Sequence, residues 1–123
     1  ADVRALLAAG RLSAAYYLAG YAVECGIKAI IALSFRAAVI PDKRFVDSVY
    51  THSVTRLVAV AGLETELKQK AKESDEFRLN WGLVGTWSEA SRYEVVDPFR
   101  ATTLVRAVEG EIGGVLPWLK THW

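Results

Sequence analysis

The sequence has little of what catalytic and metal-binding sites are usually made from. Cysteine occurs once, at Cys25, and histidine twice, at His52 and His122. A lone cysteine excludes an intramolecular disulfide, and without a Cys/His cluster there is no ligand set for zinc. Among the apolar neighbours of its run, Cys25 reads as a small hydrophobe in a reducing cytoplasm. Neither a glycine-rich phosphate loop nor a serine-elbow motif occurs, so neither metal nor cofactor is expected. Strand-type alternation, internal repeats, low-complexity tracts and linkers are also missing, which leaves an all-α reading. Charge is almost balanced, with 15 Lys plus Arg against 14 Asp plus Glu and a net charge of +1. That balance neither demands a nucleic acid nor excludes a local basic patch.

What is present is enough to build a core. The chain has 123 residues, 52% apolar and 24% charged, and reads as one domain over residues 1–123. Its longest apolar run, Leu12–Phe35, carries Glu24 and Lys28 as its only charges. At about 100° per residue, Tyr17, Tyr21, Glu24 and Lys28 share a helical stripe about 60° wide. Ala14, Leu18, Ala22, Cys25, Ala29 and Ala32 lie beside it, and Tyr16, Ala19, Val23, Ile27 and Ile30 behind. A helix apolar on nearly every side is buried in a core, a subunit contact or a bilayer. Two charges near mid-span, each costing roughly 2.5–3.5 kcal/mol on insertion scales, argue against the bilayer. No basic region precedes the run, so a signal peptide is not expected either. The run is read as the central helix of a soluble bundle.

The other segments follow from local signals. Asp2–Ala9 is a short amphipathic lead-in closed by Gly10. Arg36, Lys43 and Arg44 form a basic cluster in a loop centred on Pro41-Asp42. Thr51 is read as the N-cap of a helix carrying Val54, Leu57, Val58 and Ala61, ended by Gly62. A charged, exposed helix spans about Glu64–Lys72. Ser74 or Asp75 caps the next, with Phe77, Trp81, Val84 and Ser88 on one face and Trp87 alongside. Ser88–Val96 breaks the period and reads as a loop or short extended piece. Asp97-Pro98 starts the last helix, whose stripe is Leu104, Val108, Ile112, Val115 and Leu119. Gly110, Gly113, Gly114 and Pro117 weaken its end. The expectation is four to five helices.

Four groups draw a chemical reading. Glu24, in the middle of an apolar helix, needs a partner, because a buried unpaired carboxylate is costly. Lys28 lies one turn on, in the favourable order. Arg92, beside Tyr93 in the break before the last helix, can reach inward to pair with Glu24. His52, next to a helix start, either packs there or serves as a ligand-binding or catalytic group; His122 reads as frayed surface. The four tryptophans read as core or interface anchors. Glu24, Lys28 and Arg92, with Tyr17 or Tyr21, form either a closed polar network or the lining of a cleft for a nucleotide or RNA phosphate. The wider candidate cleft takes in Tyr17, Tyr21, Glu24, Lys28, His52, Arg92 and Tyr93.

The stretches AAYYLAGYAVECGIKAII, THSVTRL and SRYE resemble, in the same order, the central helix, the His-initiated helix and the Arg-Tyr of HEPN domains. The resemblance covers most of the chain, from about Leu6 to Leu119. It implies an up-and-down helical bundle, commonly a homodimer, in bacteria and archaea often encoded beside a small nucleotidyltransferase. Several branches are metal-independent RNases of toxin–antitoxin or defence systems. Those nucleases place an Arg and a His at a short fixed spacing in the dimer cleft. Here Arg44 stands too far from His52 and no Arg is suitably placed before His122, so the RNase activity is not carried over. The expectation is a non-catalytic, cytoplasmic HEPN-type homodimer that binds a nucleotide or a nucleotidyltransferase-like protein partner, with no membrane association. The alternatives are a metal-independent RNase toxin with an unusual site around His52 and Arg92, and an RNA-binding module using Arg36, Lys43 and Arg44.

Overall fold

A computed structural model of the chain describes residues 2–33 and 51–123. The loop around Pro41-Asp42, with Arg36, Lys43 and Arg44, lies outside the described residues. The described residues form seven α-helices and no strand: α1 (Asp2–Ala8), α2 (Leu12–Leu33), α3 (Val54–Val60), α4 (Glu64–Glu73), α5 (Asp75–Gly85), α6 (Pro98–Glu109) and α7 (Val115–Lys120). A 3-10 helix, Glu89–Tyr93, stands between α5 and α6. All-α is therefore right, but seven helices among the described residues exceed the four to five expected, because the lead-in is a helix in its own right and the last stripe is divided into α6 and α7.

Helix α2 is the axis of the bundle, packing against α1, α3, α6, α7 and the 3-10 helix. Tyr16, Ala19, Val23, Ile27 and Ile31 form its buried side. They recur at the three- and four-residue spacing that keeps side chains on one helical face. Against them pack Leu57 and Val58 of α3, Leu104 and Val108 of α6, and Val115 and Leu119 of α7. Helix α5 adds Phe77 and Val84 and leans on α4, α6 and α7. The flank carrying Cys25 and Ala29 is exposed, so Cys25 is not the enclosed small hydrophobe expected of it. Length and composition alone would let α2 cross a membrane, and 44% of its most apolar stretch is buried inside the bundle.

Local chemistry explains where helices begin and end. Ser53, not Thr51, caps α3: its side chain accepts from the Arg56 backbone N–H, while Thr51 Oγ1 accepts from the Ser53 N–H. Ser74 caps α5 and Asp97 caps α6, each accepting the backbone N–H three residues on, with Pro98 opening α6. Helix α4 buries no residue, as its charge pattern foretold. Ser88–Val96 contains the 3-10 helix rather than a plain loop or extended piece.

The last apolar stripe is not one continuous helix. It stops at Gly110 and restarts at Val115, so Ile112 is turned outward and 74% exposed. Gly113 adopts φ 73°, and a Cβ there would lie 2.8 Å from the Phe77 nitrogen of α5. Only glycine tolerates both the backbone and the close approach. Pro117 falls in the first turn of α7, where a missing N–H costs nothing. His122 is not frayed surface: its ring meets the edge of Trp118 at 5.0 Å. Trp87 and Trp118 are core residues, whereas Trp123 is exposed and donates to the Gly26 carbonyl at 3.3 Å.

Candidate functional site: a histidine between two carboxylates

Glu24 is 1% exposed in the middle of α2. Its Oε1 accepts from Lys28 Nζ at 3.2 Å, one turn along the helix. The same oxygen lies 2.5 Å from His52 Nδ1. His52 immediately precedes the capping Ser53, so the extended backbone that leads into α3 carries the ring back onto α2. Its other nitrogen, Nε2, lies 3.1 Å from Glu89 Oε2, on the first residue of the 3-10 helix. One imidazole thus ties three elements together.

The donor and acceptor roles follow from the acceptor-only carboxylates. Nδ1 donates to Glu24, and a ring carrying both protons donates to Glu89 as well. In that form each contact is a charge-assisted hydrogen bond, stronger than a neutral one. His52 is 51% exposed, so solvent reaches the ring although its Glu24 partner is enclosed. The Lys28 ammonium is half-buried at the same carboxylate.

The wall of this cluster is aromatic. Trp87, between α5 and the 3-10 helix, is buried with its indole against Gly20, where a Cβ would come within 2.3 Å of the ring. Tyr17 packs on Trp87 at 6.0 Å between ring centres and stacks on Tyr21 at 5.8 Å. The Tyr21 hydroxyl is pushed above the usual phenol range, first by repulsion from and hydrogen bonding to Cys25, then by the Glu24 charge. Glu24 Oε2, Trp87 Nε1 and Ser91 Oγ are buried with no hydrogen-bond partner among the described residues. All three belong to α2 or to the segment that packs on it through the 3-10 helix.

Of the residues singled out from the sequence, Tyr17, Tyr21, Glu24, Lys28 and His52 lie along or against one flank of α2. Tyr93 is exposed at the end of the 3-10 helix. Arg92 contributes its backbone to that helix, but its side chain lies outside what the structure describes, and with it the expected Arg92–Glu24 pair. The ion-pair partners of Glu24 among the described residues are Lys28 and His52. Glu89 was missed, because a residue in a broken period gives no facing signal; its nearness to the Arg-Tyr pair was the only hint. No group of three or more His, Cys, Asp or Glu side chains able to hold a metal ion occurs among the described residues.

Chemically, a buried carboxylate on one imidazole nitrogen is the arrangement that orients a histidine for proton transfer. Here the second nitrogen also meets a carboxylate, which makes the cluster a closed clamp rather than an open base. No protein-family model, curated protein or solved structure matches this chain.

Proposed function

We propose that this chain is a non-catalytic HEPN-type module: an up-and-down bundle that forms a homodimer in the cytoplasm. In this reading it binds a nucleotide or a protein partner such as a nucleotidyltransferase, in a toxin–antitoxin-like or defence-linked pair. The observation that carries the reading is the convergence of its separate sequence blocks. Glu24 from the central run, His52 from THSVTRL and Glu89 beside SRYE meet at one clamp. A bland helical bundle has no need to bring those three stretches together around a buried charge. Both His52 nitrogens are engaged by carboxylates, which favours a structural or recognition role over proton transfer.

The homodimer reading rests on the outer flank of α2, where Tyr21, Cys25, Ala29, Ala32 and Leu33 are exposed without a charge among them. A second copy laid along this flank would cover a smooth apolar surface. Light scattering at micromolar concentration is expected to give the dimer mass, and Ala29→Glu the monomer mass. A wild-type monomer would overturn the homodimer.

One observation favours the enzymatic reading. Glu24 orients His52, and the ring is half exposed, so withdrawal of Glu89 would free Nε2 for acid–base work on RNA. Incubation with single-stranded RNA decides it. Cleavage by the wild type that His52→Ala abolishes would replace the non-catalytic reading, and intact RNA retires the enzyme.

A further inference from the structure

Away from the clamp, helices α5 and α6 enclose two hollows that run in line. The larger, about 510 Å³, lies between Glu76, Leu79 and Asn80 of α5 and Arg106, Glu111 and Ile112 at the end of α6 and beyond. The smaller, about 160 Å³, continues toward Leu83 and Thr86, with Phe99, Arg100 and Thr103 opposite and Tyr16 of α2 among its lining residues. From Glu76 to Thr86 the groove spans about 15 Å at 1.5 Å per residue, three turns of a helix. Its rims are apolar and exposed: Leu79 at 65%, Ile112 at 74% and Phe99 at 80%.

These side chains are held out rather than left out. Asn80 Nδ2 donates to the Gly113 carbonyl at 2.9 Å, and Gly113 abuts α5, so the loop presenting Ile112 is pinned at its neck. Phe99 stands in the capped first turn of α6, its carbonyl accepting from Thr103 Oγ1 at 2.6 Å. Apolar side chains on a rigid rim keep the groove open and lower the ordering cost of filling it.

Charge narrows the occupant. Glu76, Arg106 and Glu111 line the larger hollow and take part in no ion pair among the described residues. Two free carboxylates against one guanidinium suit a partner that is basic beside its apolar stripe. Among the described residues, neither the exposed flank of α2 nor α4 offers that. The exposed flank of α2 holds small residues with Tyr21 and Leu33 and no charge among them, and α4 presents charges of both signs. An isolated amphipathic helix with basic residues beside its apolar stripe suits both the charge and the length of the groove.

From these observations we infer that the α5–α6 groove is a docking site for an amphipathic helix of a partner protein. One large apolar side chain fills the hollow beneath Phe99. Another, two to three turns away, packs between Leu79 and Ile112, and Lys or Arg residues beside it face Glu76 and Glu111. The inference does not depend on the HEPN reading, because it uses a different face of the molecule.

The test is selection of single-helix peptides, with their surface positions randomised, on the immobilised full chain. Enriched peptides are expected to carry two large apolar residues two to three turns apart with basic neighbours. Leu79→Glu and Ile112→Glu, both at exposed positions that leave the core intact, should weaken the best peptide roughly tenfold or more. Glu76→Lys with Glu111→Lys should weaken it by a smaller factor that shrinks with added salt. Failure to enrich any helix, or enrichment of peptides indifferent to Leu79→Glu and Ile112→Glu, overturns the inference. So does a wild-type dimer that Leu79→Glu dissociates, which would assign the groove to a second copy. A dimer that survives Leu79→Glu but not Ala29→Glu leaves the two proposals separate.

Discussion

Helix α2 carries two polar clusters, and they are built on opposite terms. Around Glu24 an enclosed carboxylate is matched by Lys28 and His52, with Glu89 beyond. Around Tyr16, nearer the helix start, Arg100 donates to the tyrosine hydroxyl at 3.2 Å and lies 4.6 Å from its ring centre. Arg100 also pairs with Glu94 at 3.0 Å. The ionic partners of this second cluster stand in solvent, where water competes for every contact and salt screens them. The same kinds of group therefore differ in worth. An uncompensated charge inside costs several kilocalories, while an exposed pair contributes a fraction of one. The comparison teaches that burial of Glu24, and not the number of ionic contacts, makes the clamp the cluster the fold depends on.

The largest expected effect strikes the wall of the enclosed cluster. Gly20→Leu forces a side chain into the space of the buried Trp87 ring. It should cost on the order of 3–5 kcal/mol, as expelling a core tryptophan does. A urea midpoint unchanged by this substitution would mean that the wall is loose. His52→Ala comes next. It leaves Glu24 with Lys28 alone, and about 2–3 kcal/mol should be lost by chemical denaturation, with little dependence on salt. If the loss disappears at high salt, the carboxylate is not enclosed and the contrast fails.

The third effect is local. Asp97→Ala removes the oxygen that accepts the Arg100 N–H at 2.7 Å and should cost about 1 kcal/mol. Because Arg100 starts in that turn, the substitution also shows whether the outer cluster depends on the helix end. The smallest effect is the coupling of Arg100 to Glu94. A double-mutant cycle should give about 0.2–1 kcal/mol, falling with ionic strength. A coupling as large as the His52 effect would erase the distinction between the two clusters.

Much of the molecule was legible in advance where the signal is local. The Leu12–Phe35 run announced its helix, Asp97-Pro98 its start signal, and Gly62 and Ser74 their boundaries, because capping and periodicity act within a few residues. The site was legible in half. Glu24 had to have partners, and Lys28 one turn away was bound to be near. His52 as its second ion-pair partner, and Glu89 beyond it, were not readable, since no spacing in the chain relates α2 to the 3-10 helix. The break of the last stripe at Gly110 was underestimated for a related reason. A glycine's cost to a helix is local, but the contact of Gly113 with α5 that makes the break permanent is not.

Sequence alone determined an all-helical chain with one dominant apolar axis and a charge pair that could not be left bare. Those properties are set by composition and by neighbours at one to four residues. Tertiary structure decided which flank of that axis is covered, that one histidine bridges two carboxylates, and that α5 and α6 leave a groove between them. Each of these depends on where distant segments pack, and packing is settled by the sum of many weak contacts across the whole core.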